Sequence, residues 1–193
     1  MRASPELVLM MLADARLPTG AHAHSAGLEP AVLQGLTDGG RRPGEVVGYA
    51  RSRLGTITAT EAGVAVIARR RCRDREPAGP ARLDDVESAW AARTPSAAVR
   101  GSARVLGRGY LRLGRRLWPV PMAAAFDAGA GTGCGARGSH SSTELHPPPR
   151  ALVLGAVAAA AGLSAEQVAR LVAYDDLQTI ASAALKLLPL DPV

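Results

Sequence analysis

A chain of 193 residues is long enough for a single domain that buries roughly 70% of the surface its unfolded form exposes, so it needs neither disulfide nor metal staples. Cys72 and Cys134 lie far apart, the first in a run of arginines and the second among glycines, which excludes a disulfide framework or a CxxC metal knuckle. The net charge of +6 would ordinarily suggest nucleic acid or a membrane surface, but Lys186 is the only lysine and aromatics make up 3%. Arginine in an alanine-rich chain follows from a GC-rich coding background, and so few rings make no base-stacking platform, so neither partner is expected.

In chain order, the first apolar run covers only residues 7–12 and is closed by Asp14 and Arg16. That is too short for a secretory segment or a membrane span, so a cytoplasmic, soluble chain is expected. Residues 17–29, LPTGAHAHSAGLE, read as a Pro/Gly turn leading into a helix that carries Leu28 and Glu29. From residue 45 to residue 72, Val47, Ala50, Leu54, Ile57, Val64 and Ala68 recur at helical spacing, with Glu61 on the same stripe as one acid on the buried side. A shorter helix follows at residues 82–93, with Asp84 and Asp85 complementing the dipole of its first turn and Thr94 and Pro95 ending it.

Residues 96–118 form the clearest amphipathic pattern. Val99, Ala103, Leu106, Tyr110, Leu113 and Leu117 fall on one side, and Arg100, Arg104, Arg108, Arg112 and Arg116 on the other. Like charges at i, i+4 oppose a helix by about 0.2–0.5 kcal/mol per pair, and Gly101, Gly107, Gly109 and Gly114 each cost up to about 1 kcal/mol more. Tertiary packing or an acidic partner must therefore hold it, and the five arginines are a candidate face for such a partner. Residues 127–149 lack periodicity and are rich in Gly, Ser and Pro, which predicts a long mobile loop. Residues 150–162 read as a buried alanine-rich helix ended by glycine. SAEQ at 164–167 is a capping box opening a last helix that Pro189 stops. With no run of period two, the predicted fold is all-α, a single-domain bundle of six or seven helices spanning residues 1–193.

The candidate chemistry is sparse. His22 and His24 are two potential metal ligands where a site needs three or four, so packing in a turn is the preferred reading and no metal site is assigned. Ser25 misses the nucleophile elbow because Ala23 stands at the first glycine position and no strand precedes it, leaving Ser25 as a local capping hydroxyl. GAGTGCG at 129–135 lacks the GK[ST] of a phosphate loop, and Cys134, His140 and His146 are irregularly spaced. No catalytic residue is assigned. A small basic helical protein that binds nucleic acid through the 100–116 arginines is the alternative reading, without a helix-turn-helix signature to support it.

Two stretches taken together resemble the urease accessory protein UreF family. The first matches a motif L-P-x-G-x-[aromatic]-x-H-S-x-G-L-E through Leu17, Pro18, Gly20, His24, Ser25, Gly27, Leu28 and Glu29, with His22 where an aromatic is usual. The second matches a G-x(6)-G-L turn and a helix ending S-A-A-x-R-L-x-P-L through Gly155, Gly162, Leu163, Ser182, Ala183, Ala184, Leu187, Pro189 and Leu190. There Lys186 replaces arginine, keeping the charge and losing the planar fork. The family's block also continues past P-L-G, where this chain reads PLDPV.

The resemblance implies a helical, non-enzymatic chaperone of urease maturation that is dimeric within its complex. It implies bridging of UreD (also called UreH) and the GTPase UreG on apo-urease, with nickel handled by the complex rather than held as a cofactor. Residues 17–29 and the C-terminal helix, including Ser182, Ala183, Lys186 and Pro189, are then the expected partner surface.

Overall fold

The computed structural model describes residues 4–19, 24–74, 83–127 and 147–189; the segment expected as a loop, and with it Cys134, His140 and His146, lies largely outside them. Among the described residues the fold is all-α with no strand. Helix α1 (Pro5–Leu12) starts on Ser4, whose hydroxyl accepts from Leu7 N–H, and buries Val8 and Leu12. Helix α2 (Leu28–Leu33) is one short segment after Gly27. Helix α3 (Glu45–Arg53) runs through a π-helical turn (Leu54–Thr58) directly into α4 (Ala59–Arg73), forming the continuous rod that the periodicity predicts.

The buried stripe of that rod continues from α4 into α3, with one predicted member left outside. At 100° per residue Val46 falls on the bearing of Val64 and Ala50 about 40° from it, whereas Val47, at the edge of the stripe, lies about 100° away. Val64, Ala65 and Ala68 are buried as α4 requires, whereas Val47 on α3 is 53% exposed and Val46, Tyr49 and Ala50 take the inward positions. Glu61 is buried, as its place on the stripe predicts.

Helix α5 (Asp84–Arg93) buries Val86 and Trp90. Helix α6 (Ala97–Leu117) is capped by Ser96, whose hydroxyl accepts from Val99 N–H at 3.3 Å. Its buried face is not the aliphatic stripe alone. Ala103, Gly107, Tyr110, Leu111 and Gly114 are buried, while Leu117 is 45% exposed. The glycines permit close approach: a Cβ on Gly107 would lie 2.0 Å from the Pro148 carbonyl oxygen, and one on Gly109 would lie 2.3 Å from that of Thr19. Their cost in helix propensity is therefore offset by contacts that a larger residue would forbid. Helix α7 (Pro119–Phe126) was not expected. Prolines are tolerated in a first helical turn, and Met122 is fully buried against the Gly114 gap.

Helix α8 (Arg150–Ala161) is the central element, with every residue from Arg150 to Ala158 buried among α4, α6, α7 and the C-terminal helix. Its contact with α4 is close because Gly155 faces Ala65 and Ala68; a Cβ there would lie 2.4 Å from the Ala65 carbonyl oxygen. Gly162 closes α8 with φ at 78°. Helix α9 (Ala165–Leu187) then opens on the Ser164/Gln167 capping box, both bonds of which are made. It spans two apolar clusters. The larger surrounds α8, and the smaller joins Leu28, Ile180, Ala183, Ala184 and Leu188. No helix among the described residues is long and apolar enough to cross a membrane.

Candidate partner-binding cleft

The 24–29 turn is built from the backbone outward. Ala26 and Gly27 both have positive φ, 52° and 80°, and the Tyr49 hydroxyl donates to the Ala26 carbonyl at 2.8 Å. A Cβ on Gly27 would come within 2.8 Å of that same hydroxyl, so glycine is required here by conformation and by space. Ser25 acts as the local cap: its backbone carbonyl accepts from Leu28 N–H at 3.0 Å and its hydroxyl from Glu29 N–H at 3.4 Å. Leu28 is wholly buried and pins the turn to α9. One turn upstream, Leu17 packs on the main core, Pro18 is exposed, and Thr19 is buried against Gly109.

This anchoring places His24, Ser25 and Glu29 beside Gln178, Ser182 and Lys186 of α9, around a cleft of about 300 Å³. Residues more than a hundred positions apart thus share one wall-and-floor arrangement. Ala183 is buried beneath it. Pro189 contributes from outside, since its ring sits where a Cβ on Gly40 (φ 90°) would lie only 2.9 Å away. Gly20, His22 and Leu190 fall outside the described residues. His24 is half-buried, and the described residues contain no group of three His, Cys, Asp or Glu side chains able to hold a metal.

Next to the cleft, and sharing His24, Ser25 and Thr179 with it, is a second cavity of about 440 Å³. Apolar residues of α6, among them Val99 and Leu106, form one side, and charged residues form the floor. Arg53 donates to both oxygens of Asp176 at 2.8 and 3.1 Å, and the Thr58 hydroxyl donates to the same carboxylate at 2.5 Å. Arg150 is paired with Asp175 and lies 3.9 Å from Glu61, which accepts from Trp90 Nε1 at 2.7 Å. Burial pushes the Asp175 carboxyl above its ordinary value, against the pull of Arg150 and with added push from Asp176. Tyr110, close by, is pushed up to about 12, first by burial and then by Asp175, with Arg150 and the Thr19 hydrogen bond opposing.

Apart from Glu61, the sequence reading did not single out this buried network. The visible hint is a pair of adjacent acids, Asp175 and Asp176, in a helix with apolar residues on either side. Their basic partners come from residues 53 and 150, which only tertiary packing identifies.

The five arginines of α6 do not form one face. Arg100 turns back to donate to the carbonyls of Thr94 and Pro95, at 2.6 and 2.8 Å. Arg104 pairs with Glu87 at 2.6 Å, donates to the Pro147 carbonyl at 2.8 Å and stacks over Trp90 at 5.5 Å. Arg108, Arg112 and Arg116 are exposed.

Known proteins resemble this chain over most of its length. The family model described as UreF matches residues 41–193. A urease accessory protein UreF of Mycobacterium bovis (strain BCG / Pasteur 1173P2) is 37% identical over 186 residues, covering 96% of this chain and 74% of the relative. The UreF of Mycobacterium tuberculosis (strain ATCC 25618 / H37Rv) is 36% identical over the same shares. That of Mycolicibacterium vanbaalenii is 35% identical over 184 residues, 95% of this chain and 74% of the relative. No solved structure gives a significant match. With a family model covering most of the chain and relatives this similar, the chain belongs to the UreF family of urease accessory proteins.

Proposed function

We propose that this chain is a non-enzymatic, cytoplasmic scaffold for maturation of the nickel centre of urease. It bridges UreD (UreH) and the GTPase UreG on apo-urease, acts as a homodimer within that complex, and holds no cofactor of its own, nickel being cargo of the assembly. The observation that supports this is the meeting of two separated stretches in one cleft. His24, Ser25 and Glu29 from the turn face Ser182 and Lys186 of α9, and all five are held by residues with packing roles.

Such a cleft suits recognition more than chemistry. It combines a cation, an acid and two hydroxyls at a partly exposed rim over a rigid core, the composition of a polar protein interface. The test is co-expression of the chain with the UreD, UreG and urease subunits of the same source, followed by affinity purification through a tag on UreD. Recovery of a stoichiometric complex that activates urease with nickel is the expected result. A folded chain that never enters the complex would overturn the proposal.

A further inference from the structure

We infer that Arg108, Arg112 and Arg116 form a docking stripe for an acidic helical segment of a partner protein, separate from the cleft at the 24–29 turn. Helix α6 contains no aspartate or glutamate from Ala97 to Leu117, so these three guanidiniums have no acid on their own helix. Most exposed arginines elsewhere on the described surface are neutralised locally: Arg71 by Asp85, Arg170 by Glu166, and Arg115, next to the stripe, by Asp127. Arg100 and Arg104 are occupied by their own chain. Arg108, Arg112 and Arg116 have no ion pair among the described residues. A chain that pairs its surface arginines in most places leaves three in a row unpaired here.

Their geometry favours a protein partner. Successive members stand about 6 Å apart along the axis, and at 100° per residue the three fall within about 80° of one another. Val105, 53% exposed, falls inside that wedge. Val105 lies about 4.5 Å before Arg108 along the axis, and an apolar side chain flanking the guanidiniums matches a helix that presents Glu or Asp at four-residue spacing next to an aliphatic residue. A phosphate backbone offers nothing for Val105 to contact. At this spacing the like charges also repel, so a carboxylate partner relieves a repulsion that the isolated chain retains.

The test uses the full chain and a synthetic helical peptide with Glu at every fourth position and leucines between, followed by fluorescence anisotropy. Wild type should bind it, R108Q/R112Q/R116Q should bind about tenfold more weakly, and R41Q/R71Q/R170Q, with the same loss of charge, should bind as wild type. The stripe variant should melt no lower than wild type, because it removes only unpaired like charges. The inference is overturned if wild type does not bind or if both variants weaken equally. Tighter binding of duplex DNA than of the peptide through the same three residues, or a stripe variant that melts well below wild type, would also overturn it. None of these readouts depends on urease or its other accessory proteins, so the stripe and the scaffold proposal fail separately.

Discussion

Trp90 on α5 donates its indole N–H to Glu61 on α4 at 2.7 Å, and both side chains are buried. The relationship ties the outermost helix of this side to the charged centre of the molecule, because the other oxygen of Glu61 faces Arg150 on α8. A carboxylate is tolerated in this position because a ring N–H and a guanidinium both compensate it.

Glu61→Ala should therefore cost about 3–5 kcal/mol of unfolding free energy, since it orphans the Trp90 donor and leaves Arg150 with one fewer counter-charge. Glu61→Gln keeps an acceptor for the indole and should cost about half as much. Urea denaturation of the two variants measures both, and a loss under about 1 kcal/mol for Glu61→Ala would show that the network contributes little.

The glycines of α6 and α8 permit a second test with an unusual sign. Glycine to alanine in a helix ordinarily gains about 1 kcal/mol, but at Gly107 and Gly155 the new Cβ would meet backbone at 2.0 and 2.4 Å. Gly107→Ala and Gly155→Ala should each destabilise by about 1–3 kcal/mol or more. Gly101, with nothing within 4 Å of its Cβ position, should gain stability on the same change. Thermal melts of the three variants would settle the contrast, and uniform gains would contradict these close helix contacts.

Tyr110 makes stability sensitive to alkali. Its folded pKa, raised to about 12, lies above the ordinary tyrosine value of 10, so its contribution is complete below pH 10 and is lost as pH rises towards 12. Tyr110→Phe should lower stability at pH 7 by about 1 kcal/mol through the lost hydrogen bond. It should also flatten the decline between pH 10 and 12. The chain has a single lysine, and Tyr49, whose hydroxyl burial also pushes up, is the main other group in that window, so the variant removes only part of the decline. An unchanged alkaline slope in the variant would refute the assignment to Tyr110.

Lys186 and Glu29 both line the cleft while being exposed, so changing them should affect assembly and not folding. Lys186→Glu and Glu29→Lys should each leave unfolding within about 0.5 kcal/mol of wild type. Each should also reduce recovery of the chain with UreD and UreG by an order of magnitude or so. Normal recovery with both variants would move the partner surface elsewhere.

Much of the fold is legible along the chain. Helix ends follow from local chemistry, as at the Ser164/Gln167 box, the Ser96 cap and the Gly162 stop, because capping bonds form between residues three or four apart. The motif residues could likewise be chosen from their order, although their roles differ: Leu28 and Ala183 pack, Gly27 turns, and Ser25 both caps and lines the cleft. Hydrophobic period set the inner side of α4 correctly and placed Ala50 of α3, but put Val47, at the edge of the stripe, inward where it is exposed.

Sequence alone thus determined the helical class, most helix boundaries, the buried acid at residue 61 and the family. Tertiary structure decided what depends on close approach between distant residues. It made Gly107, Gly109 and Gly114 of α6 contact points, divided the five arginines into two that serve the fold and three with no ion pair among the described residues, and joined Arg53 and Arg150 to Asp176 and Asp175. The physical reason is range: propensity and capping act within a turn of helix, whereas charge pairing and packing act through space and carry no fixed separation along the chain.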